Sequence, residues 1–285
     1  MSLLVQPKNR PSLQALAIRL KGVTSTAKIT KAMKMVAASK LRGAEAKMVQ
    51  ARPFAASINK LMDKYLLPKE DEEDYKPESS FLLAISSDKG LCGGINARVV
   101  KAVKAIYDAP TPAVKPTLMI CGSKVRDGLV RTHAETITTS IDEAYNIPIT
   151  FSLASFLAEQ VLATPADEYT IMYNKFMSVI AFDVTPYTLK GPEVLGQSGV
   201  FDEFEFEGDK EDVLANMYQF NLACALYGCL LENSTSEQAS RMTAMDSATN
   251  NANEMMEKLR ITYNRQRQAV ITTELTEIVA GAESV

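Results

Sequence analysis

The last quarter of the chain contains almost nothing that interrupts a helix. Between Gly208 and Gly281 there is no proline and one interior glycine, Gly228, whereas an interior proline costs about 3 kcal/mol and a glycine about 1 kcal/mol. The sequence therefore predicts a helix of about 70 residues, far longer than the mean of about 11 to 12. The spacing of Ser234 and Glu237 is that of a capping box, so a broken helix that restarts there is the alternative.

A second long helix is predicted at the start of the chain. Asn9 and Pro11 are typical of an N-cap and a first helical turn. We expect Pro53 to kink or end this helix, whose regular part is then about residues 11–55. Steps of three and four give a heptad seam. Its members are Leu13, Leu16, Leu20, Val23, Ala27, Thr30, Lys34, Ala37, Leu41, Ala44, Met48, Ala51, Ala55, Ile58 and Met62.

The C-terminal segment carries a seam with the same spacing but smaller or more flexible side chains. Its members are Met242, Met245, Ala248, Ala252, Met255, Leu259, Thr262, Gln266 and Ala269. Because both ends of the chain are long helices with a seam and one domain lies between them, the sequence predicts that they pair as an antiparallel coiled coil. Methionines are concentrated on both helices, where they suit either a packed seam or a surface that accepts several partner shapes.

The middle of the chain alternates strands and helices. Strands are predicted at 81–85, 117–122, 169–174 and 179–184, and helices at 97–107 and 153–162. This alternation favours a Rossmann-like, three-layer α/β domain. The acidic run 69–74 indicates a solvated linker. The predicted divisions are an N-terminal helix at 1–60, a linker at 61–77, the α/β domain at 78–207 and a C-terminal helix at 208–285.

Composition excludes several classes of protein. No apolar run reaches the roughly 18 residues that a membrane span needs. His133 is the single histidine, so a multi-histidine zinc site is excluded, and we expect His133 to be an ordinary surface or half-buried residue. Cys92, Cys121, Cys224 and Cys229 match neither a metal knuckle nor a secreted disulfide framework, which favours a reducing compartment. No metal or cofactor site is predicted.

Two features leave a second class of function open. The turn from Gly90 to Gly94 follows a strand and opens a helix, where phosphate loops occur, but it lacks both the GxGxxG and the P-loop spacing. Residues 1–60 carry 12 basic side chains and one acidic side chain, which suits nucleic acid, a transit peptide or a carboxylate-lined cavity. No aromatic residue that could stack on a base precedes Phe54. The alternative is therefore a nucleotide- or nucleic-acid-binding α/β protein with a coiled-coil arm.

Three segments, in the expected order, resemble the gamma subunit of rotary F-type ATP synthases. They are the N-terminal run Lys28 to Lys40, the central Ser87-Asp88-Lys89-Gly90-Leu91-Cys92-Gly93, and the C-terminal run Ile271 to Ala282 with its Ile-Thr-Thr-Glu opening and Gly-Ala pair. The resemblance covers nearly the whole chain. It implies a non-catalytic shaft that turns inside a ring of three alpha and three beta subunits, with the α/β domain as a foot on the membrane c-ring beside small delta- or epsilon-type subunits.

The resemblance also implies contact residues. Arg267 and Gln268 match a polar pair that binds a loop of one beta subunit. Thr272 and Glu274 belong to the neighbouring contact segment. Lys31, Met33 and Lys34 are implied to face an acidic segment of the beta subunit. Phe204, Phe206 and Glu207 fall where the foot meets the membrane ring.

Two departures from the family bear on location and regulation. Plastid members carry an inserted cysteine-containing segment that is not found here, so thiol regulation is not expected. The segments 86–92 and 131–133 resemble mitochondrial members more than bacterial ones. We therefore expect the matrix side of the mitochondrial inner membrane, with the bacterial cytoplasmic membrane as the alternative. A targeting signal is either removed or lies within the basic start.

Overall fold

The computed structural model describes residues 12–66, 77–109, 114–197, 201 and 204–283, with the backbone alone at 55–66, 195–197 and 283. Its contacts divide the chain into two units, one made of residues 1–36 and 244–285 and the other of residues 37–243. The elements in chain order are α1 (Leu13–Leu66), β1 (Ser80–Ile85), α2 (Ile95–Tyr107), β2 (Thr117–Cys121), α3 (Ser123–Leu129), a 3-10 turn (Ala134–Thr136), β3 (Ile137–Ile141), α4 (Phe151–Leu162), β4 (Glu168–Ser178), β5 (Ala181–Lys190), α5 (Pro192–Gln197) and α6 (Lys210–Glu283).

The first unit is a pair of antiparallel helical segments, because contacts move along α1 and α6 in opposite directions. Thr249 donates a hydrogen bond to Thr30 over 2.8 Å. Further along, Thr24 Oγ1 lies 3.1 Å from the sulfur of Met256. Leu16, Ala27 and Thr30 are buried on α1, as are Met245 and Ala252 on α6. The predicted pairing of the two terminal helices is therefore confirmed.

The predicted seams differ in accuracy. Every predicted seam position of α1 from Leu13 to Ala51 is buried or half-buried, whereas the side chains of Ala55, Ile58 and Met62 lie outside the described residues. On α6 the predicted Met255, Thr262 and Ala269 are exposed, whereas Met256 and Tyr263, the neighbours of the first two, are half-buried instead. The reason is that an ideal helix drifts relative to a strict 3.5-residue repeat, so a single residue step corrects the register.

The second unit is built on a five-stranded sheet of order β3-β2-β1-β4-β5. The first four strands in that order are parallel, and β5 pairs antiparallel with β4. One face of the sheet packs against α2 and α3 through residues such as Val99, Val103 and Leu129. The other face packs against α4 and the first part of α6, through residues such as Leu157 and Leu226. The expected three-layer α/β architecture is confirmed.

Three elements of this unit were not predicted from the sequence, namely α3, β3 and α5. In β3 the run Ile137-Thr138-Thr139-Ser140-Ile141 is half-buried or exposed along its whole length, because β3 is an edge strand. Edge strands carry a weaker hydrophobic signal than central ones, and α3 and α5 are only seven and six residues long. Short elements of this kind depend on tertiary contacts more than on local pattern.

Of the two outcomes predicted for Pro53, an end of the first helix is wrong, since α1 continues to Leu66 with Pro53 inside it; the kink stays a prediction. Proline removes one backbone donor and costs about 3 kcal/mol in a helix interior. Packing on both sides of Pro53 opposes this cost. Ala51 is buried in a cluster with Phe176 and Leu231, and the Phe54 ring lies 6.0 Å from that of Phe151.

The C-terminal helix is continuous over its 74 residues, so the alternative of a new start at Ser234 is wrong. The Thr235 hydroxyl, which lies within the proposed capping box, donates to the Leu231 carbonyl one turn back. It therefore bonds within the helix rather than capping a new one. The acidic run 69–74 of the predicted linker lies outside the described residues.

Candidate functional site

The end of α6 is a surface without a covering layer in the described chain. Every residue from Arg267 to Ala282 is exposed. The apolar ones among them include Ile271, Leu275 and Ile278, which are 46%, 57% and 66% exposed. A solvated helix end normally carries polar residues, so a row of exposed aliphatic side chains on a helix indicates a partner surface.

The four predicted contact residues at this end lie on that exposed segment. Arg267, Gln268, Thr272 and Glu274 are all exposed. The Thr272 hydroxyl donates to the Gln268 carbonyl over 2.9 Å, so it is held against its own helix. Arg267 and Gln268 follow each other in sequence, and their side chains therefore diverge by about 100° around the helix.

A second predicted group lies on α1 in the same unit. Lys31 is exposed and Met33 is half-buried. The Lys34 ammonium lies 2.6 Å from the Asp246 carboxylate, with the two side chains 40% and 46% exposed. A pair this exposed contributes about 1 kcal/mol or less. Lys34 occupies a seam position, so the ion pair explains why a lysine is tolerated there.

These two groups are not brought together. Lys34 of α1 lies beside Asp246 of α6. Arg267 follows Asp246 by 21 residues along α6, which is roughly 30 Å at 1.5 Å per residue. The helical pair therefore offers two separate contact surfaces rather than one composite site.

The third predicted group immediately precedes α6 in the α/β unit. Phe204 is 50% exposed, and its ring lies 6.1 Å from that of Phe201. Phe206 packs against the core cluster on the α6 face of the sheet, with the Lys210 ammonium 5.9 Å from its ring centroid. Glu207 is exposed. Of the three, Phe204 and Glu207 are the ones available to a partner.

One face of α6 lies against the crevice where open α/β sheets usually bind ligands. Strand order reverses at β1, so the carboxyl ends of β1 and β4 form the switch point of this sheet. Asn233 of α6 donates to the Ser86 carbonyl after β1 over 3.2 Å and to the Tyr145 hydroxyl over 2.8 Å. It also accepts from Asn174 of β4 over 2.8 Å. The chain's own side chains use the polar groups that a ligand would need.

Neither Asn233 nor Asn174 is among the functional residues predicted from the sequence. Both are almost fully buried, at 1% and 0% exposure. A signal for Asn233 was present, because it follows a nearly apolar stretch of α6 from Leu222 to Leu231. A buried amide in such a stretch indicates a specific polar contact.

The turn from Gly90 to Gly94 packs against α6. Gly93 has a positive φ of 64°, which glycine adopts without strain. The Ser240 hydroxyl of α6 donates to the Cys92 carbonyl over 2.5 Å, and Arg241 donates to the Gly90 carbonyl over 3.4 Å. These contacts favour the structural interpretation of the turn over the phosphate-loop alternative.

The four cysteines, all within the described chain, are free and buried. Burial raises the pKa of the Cys121 thiol to about 12 and that of Cys224 to about 11, so both are thiols rather than thiolates at neutral pH. His133 is half-buried, and its ring lies 5.5 Å from that of Tyr107, in keeping with an ordinary histidine.

No cluster of three or more His, Cys, Asp or Glu side chains within the described ranges is arranged to hold a metal ion. In the same part of the chain, no helix combines the length and the apolar character that crossing a bilayer requires.

Glu168 provides a pH-dependent prediction for the α/β unit. It lines a cleft of about 270 Å³, and burial raises the pKa of its carboxyl above the usual 4.5. The folded state therefore binds this proton more tightly than the unfolded state, and ionised Glu168 destabilises the fold at neutral pH. We expect Glu168→Gln to raise the unfolding temperature at pH 7.

The gain from Glu168→Gln should shrink as the pH falls through the raised pKa and vanish below about pH 4, where the carboxyl is protonated in both states. Thermal unfolding followed by circular dichroism from pH 7 to pH 4 measures it. Exposed Glu159 is the matched control, and Glu159→Gln should show no such trend. An equal gain at every pH would contradict the assignment to burial of the charge.

Comparison with known proteins identifies relatives over nearly the whole chain. The sequence profile of the ATP synthase family matches residues 12–285. The mitochondrial ATP synthase subunit gamma of Arabidopsis thaliana is 39% identical over 96% of this chain and 86% of its own length. The ATP synthase gamma chain of Paramagnetospirillum magneticum is 38% identical over 96% of this chain and 99% of its own length.

A solved structure agrees with these relatives. A chain from the central stalk and c-ring of the mitochondrial ATP synthase of Tetrahymena thermophila superposes with a TM-score of 0.65 and 33% identity. The match covers 77% of this chain and 99% of that chain.

Proposed function

Because this chain belongs to the gamma-subunit family of ATP synthases, we propose that it is the central-stalk rotor that couples rotation of a membrane ring to ATP synthesis at the beta subunits. The observation that carries the proposal is the end of α6, where all residues from Arg267 to Ala282 are exposed and several are aliphatic. A surface of this kind is suited to an enclosing partner rather than to water.

Two groups of residues on the helical pair are assigned to the beta subunit. Arg267, Gln268, Thr272 and Glu274 contact a loop of one beta subunit. The second group contacts an acidic segment of the beta subunit and consists of Lys31, Met33 and Lys34. The charge of α1 supports the second contact, because its described residues up to Val36 include five basic side chains and no acid. Opposite potentials guide and register such an interface.

The α/β unit is assigned to the membrane side of the ATP synthase complex. Phe204, Phe206 and Glu207 lie at the contact with the c-ring or with small foot subunits of delta or epsilon type. The exposure of Phe204 and Glu207 supports this assignment. The chain itself remains peripheral and reaches the membrane through these partners.

A rotor acts by presenting different faces to identical partners. A ligand or partner can shift a conformational equilibrium only if it binds two states with different affinity. The helical pair supports this requirement, because the basic start of α1 and the aliphatic end of α6 are chemically different surfaces. Each beta subunit therefore encounters a changing set of contacts as the shaft turns.

The subunit is assigned no catalytic site of its own. The contacts of Asn233 at β1 and β4 support this assignment, because they use polar groups that a nucleotide would need in an open α/β sheet. ATP chemistry then belongs to the alpha and beta subunits. The family resemblance favours the matrix side of the mitochondrial inner membrane, with the bacterial cytoplasmic membrane as the alternative.

Affinity purification of the tagged chain from its own cells in mild detergent tests the proposal. We expect mass spectrometry to find alpha and beta subunits in the eluate together with azide-sensitive ATPase activity. Untagged cells carried through the same procedure are the control. Recovery of the chain alone, or with bound nucleotide and no alpha or beta subunit, would contradict the proposal.

A further inference from the structure

A buried polar contact joins α6 to the sheet inside the α/β unit. Asn233 bonds to Asn174 of β4 and to the Ser86 carbonyl after β1. One turn further along α6, the Ser236 hydroxyl donates to the Asn174 carbonyl over 3.1 Å. Another turn along, Ser240 donates to the Cys92 carbonyl. These side chains lie at steps of three and four and thus on one face of the helix. We call Asn174, Asn233, Ser236 and Ser240 the amide clamp.

Stability alone does not explain the amide clamp. The Asn174 side-chain oxygen is buried and has no hydrogen-bond partner among the described residues. A buried polar group without a partner costs free energy, and an apolar contact of similar shape is often as stable as a buried polar network. What a polar network adds is a unique arrangement, because hydrogen bonds depend on direction and position.

The contacts around the amide clamp are apolar, and apolar contacts depend less on direction than hydrogen bonds do. Elsewhere along this stretch, α6 packs on the sheet through Leu222, Leu226 and Leu230. Packed helices can slide past each other by small shear movements. A helix held only by such contacts can move along or about its axis more easily than one held by hydrogen bonds to two strands.

We propose that the amide clamp fixes α6 to the end of β1 and to the middle of β4, so that torque on the α/β unit passes into α6 without slip. Asn233 is the positioning residue, since it bonds to Ser86 directly after β1 and to Asn174 within β4. This inference rests on the proposed rotor function and deepens it. It concerns how the rotor transmits force, not which partners it meets. Slip here means movement of α6 relative to the sheet during rotation under load.

The test uses the complete ATP synthase carrying Asn233→Leu, reconstituted in liposomes. ATP hydrolysis is measured with an uncoupler, and the rate of ATP-driven proton pumping is measured against a rising opposing pH gradient. We expect near-normal hydrolysis without a gradient. As the gradient rises, the pumping rate should fall more steeply than that of the unsubstituted enzyme, since displacement of α6 under load becomes roughly tenfold more frequent for the loss of about 1.4 kcal/mol of contact. A purely structural defect would lower both rates in proportion.

Thr235→Val is the matched control. Thr235 is as buried as Asn174, at 0% exposure, but its hydroxyl bonds only to Leu231 of the same helix. This variant should pump normally at every gradient. The double variant Ser236→Ala with Ser240→Ala removes the hydrogen bonds to the Asn174 and Cys92 carbonyls with little change in volume. It replaces Asn233→Leu in the test if that variant does not assemble.

The inference is overturned if Asn233→Leu, or the double serine variant in its place, pumps as fast as the unsubstituted enzyme at every gradient. An equal loss of pumping under load in Thr235→Val overturns it as well, since buried polarity in general would then be responsible. If the unsubstituted enzyme containing this chain does not couple hydrolysis to pumping, the proposed rotor function fails instead.

Discussion

Replacing both Arg267 and Gln268 by alanine is expected to lower proton-driven ATP synthesis at least tenfold, because removing one side of a charged contact at an interface costs about 2 kcal/mol or more and about 1.4 kcal/mol already corresponds to a factor of ten. Both side chains are exposed in the chain, so their removal should leave helix content and unfolding temperature unchanged. The measurement is ATP synthesis in membrane vesicles, corrected for the amount of assembled complex. The expected result is a defect in coupling with an intact fold.

Arg260→Ala is the matched control for this double variant. Arg260 is also an exposed arginine of α6, two turns before Arg267, and it belongs to none of the proposed contact groups. Normal synthesis in the Arg260 variant and a deficit in the Arg267 and Gln268 variant would support the assigned contact. Wild-type synthesis rates in the double variant would remove Arg267 and Gln268 from the proposed interface.

Gly122→Ala is expected to destabilise the α/β unit by about 3 to 5 kcal/mol. Gly122 has a φ of +110°, a conformation that costs a residue with a side chain about 1 to 3 kcal/mol. A Cβ atom would also lie 2.5 Å from the Ser86 hydroxyl and 2.9 Å from the Ser86 carbonyl carbon. Overpacking of this kind adds about 1 to 3 kcal/mol. Urea unfolding of the purified chain measures the loss.

Gly94→Ala provides the comparison for Gly122. Both glycines precede a helix that follows a parallel strand, but Gly94 has a φ of −93° and open space where a Cβ would lie. We expect the free energy of unfolding to change by about 1 kcal/mol or less in this variant. Similar losses in the two variants would mean that the backbone conformation of Gly122 is not what makes glycine necessary.

The parts of the fold that the sequence predicts are those with a regular repeat. The seam of α1 is correct from Leu13 to Ala51 because each turn buries one of its residues against a partner. The central strands β1, β2 and β4 are recognisable because they are buried on both faces. The end of α6 is only partly predictable: Arg267 follows from resemblance, whereas the exposure of Ile278 depends on where the helical pairing ends.

The parts that the sequence does not predict depend on contacts distant in the chain. Nothing near Pro53 indicates that Phe54 packs against rings from Phe151 and Phe220, and this packing is what favours continuation of the helix. Asn233 and Asn174 are 59 residues apart. Their pairing follows from the order of strands in the sheet and not from any local pattern.

The contacts of α6 at β1 and β4 have a consequence for ligands that approach this crevice. Asn233 belongs to the same chain as the sheet, so it competes with any free molecule at the high effective concentration of a tethered group, in the millimolar range or above. A metabolite in the surrounding solution would have to displace a covalently attached competitor that never diffuses away. The sheet order of a ligand-binding fold is thereby kept, while the polar groups at its switch point are held by the chain's own helix.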